Sequence, residues 1–242
     1  MRETDDKLRR LAYLDAMGIQ VWQGRDVVPV DEPDRAEDVR ASAIQGAAAE
    51  AACGAMPDLP TWEALQGQVA ACQQCDLHRQ RTQAVFGVGD RQAQWLIVGE
   101  APGADEDRQG EPFVGRAGQL LNLMLQAIGL SREEVYIANI VKCRPPNNRD
   151  PRQEEMAACS VYLKAQIQLI QPRIILAVGR VAAHHLLHTQ QKVGALRGHS
   201  HRYGETDIPL VVTYHPAYLL RSPQEKRKAW EDLLFARQLL TQ

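Results

Sequence analysis

The stretch 94–99, QWLIVG, is a short apolar strand signal that runs straight into GEAPGADEDRQGEPFVGRAG (99–118), a loop dense in glycine and acid. Three further runs have the same character: VYIANIV (135–141), RIILAVG (173–179) and PLVVTY (209–214). Helical patterns separate them at 116–128, 152–170 and 180–188. A last helix is expected over 223–240, with Ser222-Pro223 as its N-cap and first helical residue. Short, fully apolar strands alternating with helices of about ten residues or more imply a parallel sheet covered on both faces. Ligands in such α/β folds bind beyond the carboxyl ends of the strands. Four loops are thereby singled out: 99–115, 139–146, 179–181 and 214–221.

The first loop is not a dinucleotide fingerprint, because no acidic residue ends a second strand at the required distance. It is not a P-loop either, because no Gly-Lys-Ser/Thr follows. Gly99 and Gly103 around Pro102 predict a tight turn with backbone close to a ligand. Glu100 stands at the strand end, where a carboxylate can position water. Phe113, one of only three phenylalanines, lies in a Gly/Pro-rich loop, as a site residue or as an anchor into the core. Asn139 ends an otherwise apolar strand, where its amide either caps a turn or meets a polar ligand edge. His215 follows the fourth strand and precedes Tyr218, Leu219, Leu220 and Arg221. Leucines beside a basic residue on a loop suit insertion between bases, the alternative being a return to the core. Phe113, Asn139 and His215 come from three separate strand ends and are expected to converge on one crevice.

Cysteines at 72, 75, 143 and 159 form a close pair, a long gap, and two more. Four thiolates from one chain suit tetrahedral zinc or an iron–sulfur cluster. The missing second Cys-x2-Cys favours a [4Fe–4S] cluster, with four free or buried cysteines as the remaining reading. Cys53 lies in a linker-like stretch and is left out of the set.

The chain has 242 residues, 45% of them hydrophobic, enough for one good-sized domain with an appendage. No stretch of about 18 apolar residues could span a membrane. The N-terminus, MRETDDKLRRLAYLDAMG, lacks the apolar core of a secretory signal, and an odd cysteine count argues against a disulfide framework. An intracellular, cytoplasmic and monomeric protein is expected. Residues 5–17 read as an amphipathic helix, a candidate for binding a protein partner, and 18–60 as an acidic, then alanine-rich linker. Residues 1–60 carry 7 Lys/Arg against 12 Asp/Glu, whereas 61–242 carry 21 against 18. The larger part is mildly basic despite a net charge of −2 for the chain, which permits contact with phosphates.

GEAPGADED, PFVGRAGQLL, NIVKCRPPNNRDP and HPAYLLR, in this order and with the four cysteines, resemble the family 4, iron–sulfur type, of uracil-DNA glycosylase. The resemblance covers about 61–242 and leaves 1–60 as an N-terminal extension. It implies a four-stranded parallel sheet flanked by helices, and hydrolytic removal of uracil from DNA to leave an abasic site. It further implies that Phe113 stacks on the extruded uracil, Asn139 reads its O4/N3 edge, and His215 contacts O2. Glu100 would hold the attacking water, and Glu106 would lie near C5 to discourage thymine. Cys72, Cys75, Cys143 and Cys159 would hold the [4Fe–4S] cluster. From the makeup of the fourth loop, Leu219 is expected to fill the vacated stack and Arg221 to contact DNA. Ala101 departs from the family's frequent glycine. Glu100, in place of the glutamine of siblings that crosslink to uracil-DNA, favours turnover. The rival readings are such a crosslinking sibling and an iron–sulfur redox or DNA-binding module.

Overall fold

The computed structural model describes residues 60–241, together with Leu11, Ala12, Leu14, Asp15 and Gly18. The strands are β1 (Val88–Gly89), β2 (Trp95–Gly99), β3 (Tyr136–Asn139), β4 (Ile174–Val178), β5 (Ser200–Arg202) and β6 (Pro209–Thr213). The α-helices are α1 (Trp62–Ala71), α2 (Ala104–Gln109), α3 (Arg116–Ala127), α4 (Gln153–Ile170), α5 (Arg180–Leu187), α6 (Val193–Leu196), α7 (Pro216–Arg221) and α8 (Lys226–Leu240). The sheet order is β1-β3-β2-β4-β6-β5. Its four central strands run parallel, as the apolar runs predict, and β1 and β5 add antiparallel edges.

Alternation along each strand divides the core into two layers. Leu96, Val98, Ala138, Ile175, Ala177 and Val212 face helices α1, α4 and α5. Trp95, Ile97, Ile137, Leu176, Val178 and Val211 face α3, α7 and α8. Strands β2, β3 and β4 are buried throughout, the consequence of covering both faces. Every parallel strand ends at the same edge of the sheet, so Gly99, Asn139, Val178 and Thr213 share one rim.

Three expectations need correction. The sheet has six strands rather than four, because β1 and β5, of two and three residues, are too short to carry an apolar signal. The last helix opens as a 3₁₀ turn over Pro223–Glu225, and the Ser222 side chain makes no capping hydrogen bond. Leu219, the expected DNA wedge, is only 1% exposed and packs beside Leu120, Met124, Ala229 and Leu233. It sits on α7, where successive residues are rotated by about 100°, so Leu219 turns inward while Leu220 turns out, 37% exposed. Of the expected N-terminal helix, Leu11, Ala12, Leu14 and Asp15 are helical, and Leu14 is buried in the second core layer. Leu11 is half-buried and Ala12 is exposed, so of these only Leu14 meets the protein's own core; the remainder of the stripe, like Cys53 and the 18–60 linker apart from Gly18 and Pro60, lies outside the described residues. Among the described residues, no helix is long and apolar enough to cross a membrane.

The two leucines should therefore separate in a stability measurement. Leu219→Ala is expected to lower the unfolding free energy by roughly 2–5 kcal/mol, and Leu220→Ala to change it by less than about 0.5 kcal/mol. Urea titration of both variants checks this.

Candidate active site

A cavity of about 690 Å³ opens at the rim of the parallel strands. It is lined by Glu100, Glu106, Phe113, Asn139, His215 and Arg221, so six of the residues expected from sequence are brought to one place. Leu219 is not among its lining residues.

Asn139 ends β3 and is 2% exposed, yet its Oδ1 accepts no hydrogen bond from the protein. A buried unsatisfied acceptor costs about 1–3 kcal/mol, and it is rare enough to point to a missing partner. The Asn139 backbone oxygen accepts instead from the buried Lys142 Nζ at 3.0 Å, which also donates to Gln166 Oε1 at 2.6 Å. Gly99 is directly paired with Asn139 in the ladder. A Cβ at position 99 would lie 2.4 Å from Asn139 Oδ1 and 2.6 Å from the Phe113 ring, so the missing side chain is the room both groups occupy.

Phe113 has φ 55°, a left-handed conformation that strains a bulky residue by about 1–3 kcal/mol. Two side chains impose it. Glu106 Oε1 accepts from Val114 and Gly115 N–H at 3.0 and 3.1 Å, and its Oε2 accepts from Gly103 N–H at 3.0 Å. Arg132 donates to the carbonyls of Pro112 and Phe113. Glu106 thus lines the cavity, but both of its oxygens are committed to holding the loop that carries Phe113. Sequence reasoning missed Arg132, which lies 19 positions along the chain from Phe113 and belongs to no motif.

His215 precedes α7 and accepts the Ala217 N–H at Nδ1, 3.1 Å away, which leaves Nε2 to carry the ring proton of the neutral imidazole. Burial, and secondarily the positive charge of Arg221, push its pKa down to about 4. The ring lies 5.6 Å from that of Phe113, at an interplanar angle of 29°. Glu100 is half-buried, and its pKa is raised to about 7, first by desolvation and then by the neighbouring Asp150 carboxylate. Asp150 also lines the cavity and was not singled out in the sequence.

Behind the β3 rim, Cys72, Cys75, Cys143 and Cys159 line a second, smaller cavity with Val69 and Tyr162. None is in a disulfide. Burial raises the thiol pKa values of Cys75, Cys143 and Cys159, the last to about 11. Arg81 Nη1 donates to Cys143 Sγ at 2.9 Å, and the Lys142 N–H to Cys159 Sγ at 3.3 Å. Among the described residues, no three or more His, Cys, Asp or Glu side chains are grouped so as to hold a single metal ion.

The uracil DNA glycosylase superfamily model matches residues 86–234. The type-4 uracil-DNA glycosylase of Archaeoglobus fulgidus is 44% identical over 172 residues, 68% of this chain and 86% of that protein. That of Thermotoga maritima is 44% identical over 176 residues, covering 71% and 90% respectively. A type-5 uracil-DNA glycosylase of Pyrobaculum aerophilum is more distant, at 32% over 146 residues, 54% of this chain and 64% of that protein. The chain belongs to the uracil DNA glycosylase superfamily, on its type-4 side. The matched segment contains all seven cavity residues named above, Asp150 included, together with Cys143 and Cys159, while Cys72 and Cys75 precede it.

A neutral, buried His215 lining this cavity can be tested directly. Its ring resonances in pH-dependent heteronuclear NMR are expected to titrate near about 4. A midpoint close to the ordinary imidazole value would contradict the assigned burial.

Proposed function

We propose that this protein hydrolyses the N-glycosidic bond between uracil and deoxyribose in DNA, releasing uracil and leaving an abasic site for repair. The observation that carries the reading is the unsatisfied Asn139 Oδ1, buried in a cavity that also holds Phe113 and His215. The type-4 relatives support the same substrate.

Uracil in a duplex is stacked, so it must be extruded into the cavity at a cost of roughly a few kcal/mol. Leu220, exposed beside Arg221 and the 36%-exposed Tyr218, replaces Leu219 as the side chain able to enter the vacated space. Arg221 is placed to meet a phosphate. Within the cavity, Phe113 offers its ring to the base. The Asn139 amide accepts from N3–H and donates to O4; cytosine would present a bare N3 and an amino group, leaving buried polar atoms mismatched. Glu106 forms part of the wall on the C5 side while fixing the Phe113 loop.

Breaking the C1′–N1 bond leaves negative charge on uracil and positive charge on the sugar. The Nε2–H of neutral His215 donates to O2, and that bond strengthens as the anion forms, which is differential stabilisation of the transition state. Glu100 orients the water, takes its proton, and opposes the sugar's positive charge. All these groups lie within 61–242, which we take as the catalytic unit. Uracil-containing DNA is the partner this site requires.

The four cysteines fit a [4Fe–4S] cluster better than zinc. In a cluster each thiolate binds a different iron, so the sulfurs need not crowd around a single ion. The Arg81 guanidinium against Cys143 also suits a thiolate. When bound, the cluster would act as a structural cross-link, tying the end of α1 and the turn after it to the β3 loop and α4.

Wild-type protein is expected to release uracil, but neither thymine nor cytosine, from single-stranded and duplex oligonucleotides; no release from any uracil substrate would overturn the proposal. His215→Ala is expected to lower the single-turnover rate by about 10²-fold or more while DNA binding persists. Purified protein should contain iron and acid-labile sulfide rather than zinc, and Cys143→Ser should lose both. Stoichiometric zinc without iron in an anaerobic preparation would contradict the cluster.

A further inference from the structure

Glu100 follows β2, and β2 lies between β3 and β4 in the sheet. Asp150 comes from the β3 side, on the loop between that strand and α4. Its carboxylate forms an ion pair with Arg180, the first residue of α5, just beyond β4. The pair therefore bridges the strands on either side of β2, and Asp150, Arg180 and Glu100 line the same cavity, with Asp150 the negative charge that acts on Glu100.

The backbone of the loop is anchored, while the Asp150 carboxylate, 60% exposed, is seated by Arg180. Arg149 grips Glu155 through two hydrogen bonds of 2.8 and 2.6 Å, and its Nη1 also donates to the Asp150 carbonyl at 2.9 Å. Glu155 in turn accepts the Arg152 N–H at 2.7 Å, which pins the start of α4. Asp150 is left with two neighbours of opposite effect in the cavity: the Glu100 carboxylate and the Arg180 guanidinium.

We propose that Asp150, seated by Arg180, is a positioning residue for Glu100, and that the two carboxylates together form the acceptor for the one proton that the attacking water releases. The inference rests on reading Glu100 as the group that takes that proton. In the step, the C1′–N1 bond breaks with its electron pair leaving on uracil, and the water oxygen bonds to C1′. The water's proton passes to Glu100, which then donates it in a hydrogen bond to Asp150. No further reactant is needed.

The other charged or titratable groups around the cavity are otherwise engaged or placed. Glu106 is occupied by three backbone N–H groups, and Arg149 by Glu155. Arg221 and His215 lie on the α7 side with Tyr214 and Tyr218, and the charges acting on Glu100 are those of Asp150 and Arg180. Their signs make a two-sided expectation. Asp150 disfavours the ionised form of Glu100 and Arg180 favours it, so removing one or the other moves the loss of activity at low pH in opposite directions.

The experiment is the pH dependence of single-turnover uracil release, at saturating enzyme and in full-length protein. Wild-type activity is expected to fall as pH drops through about 7. Asp150→Asn should move that fall to lower pH by roughly one unit or more, Arg180→Gln should move it to higher pH, and Asp150→Glu should return it toward wild type. An unmoved profile in Asp150→Asn, or shifts of the same sign in Asp150→Asn and Arg180→Gln, overturns the proposal. Glu100→Gln separates this failure from the deeper one. If that variant keeps wild-type turnover and the same acid fall, the role given to Glu100 is wrong; if it loses turnover while Asp150→Asn leaves the profile in place, only the pairing with Asp150 is.

Discussion

The site depends first on a place where the chain has no side chain. Parallel pairing sets Gly99 opposite Asn139 at the rim of the sheet, and the Asn139 oxygen and the Phe113 ring both come within 2.6 Å of where a side-chain carbon on that glycine would stand. Because β2 and β3 are hydrogen-bonded in a fixed register, neither the glycine nor the asparagine can slide away from the other. The Asn139 amide is held by the backbone ladder, and the Phe113 ring lies against the same glycine. What remains open is the slot in which a planar base can meet an acceptor that the protein leaves unpaired.

Around that contact, the fold holds costly conformations with buried charge. The left-handed Phe113 is kept by Glu106 from one side and Arg132 from the other. The segment from Asn139 to Cys143 runs directly from the amide proposed to read the base to the cysteine-lined cavity. Lys142 occupies its middle, with its side chain tied to the Asn139 carbonyl and Gln166, and its N–H to Cys159. Burial lowers the Lys142 pKa to about 8, opposed by the charges of Cys159 and Cys143, while its Nζ donates to the Asn139 carbonyl and Gln166. A cross-link at the cysteines would thus stiffen the strand end that carries Asn139.

The four parallel strands were legible because burial on both faces leaves unbroken apolar runs, and the rim positions followed from where those runs stop. The edge strands left no such trace. Helices α2 and α7, six residues each, begin beside Gly103 and at His215-Pro216, positions that read as loop. The same shortness explains the wedge: Leu219 and Leu220 are equivalent in composition, and only the rotation of α7 against α3 and α8 decides which is core. Phe113, Asn139 and His215 could be found since each is an unusual residue at a strand end or in a glycine-rich loop. Asp150 and Arg132 could not, because ion pairs and carbonyl contacts between distant segments carry no period. Glu106 was found, but its three backbone partners could not be read from spacing alone.

The most direct test of the pocket is the smallest steric change in it. Gly99 does not have a positive φ, so alanine can adopt its backbone, and only the added methyl differs. Gly99→Ala should remain folded by circular dichroism and keep its metal content, yet release uracil at least about 10²-fold more slowly in single turnover, the scale for losing one well-placed contact. A folded Gly99→Ala protein that excises uracil at the wild-type rate would contradict the placement of the base between Asn139 and Phe113.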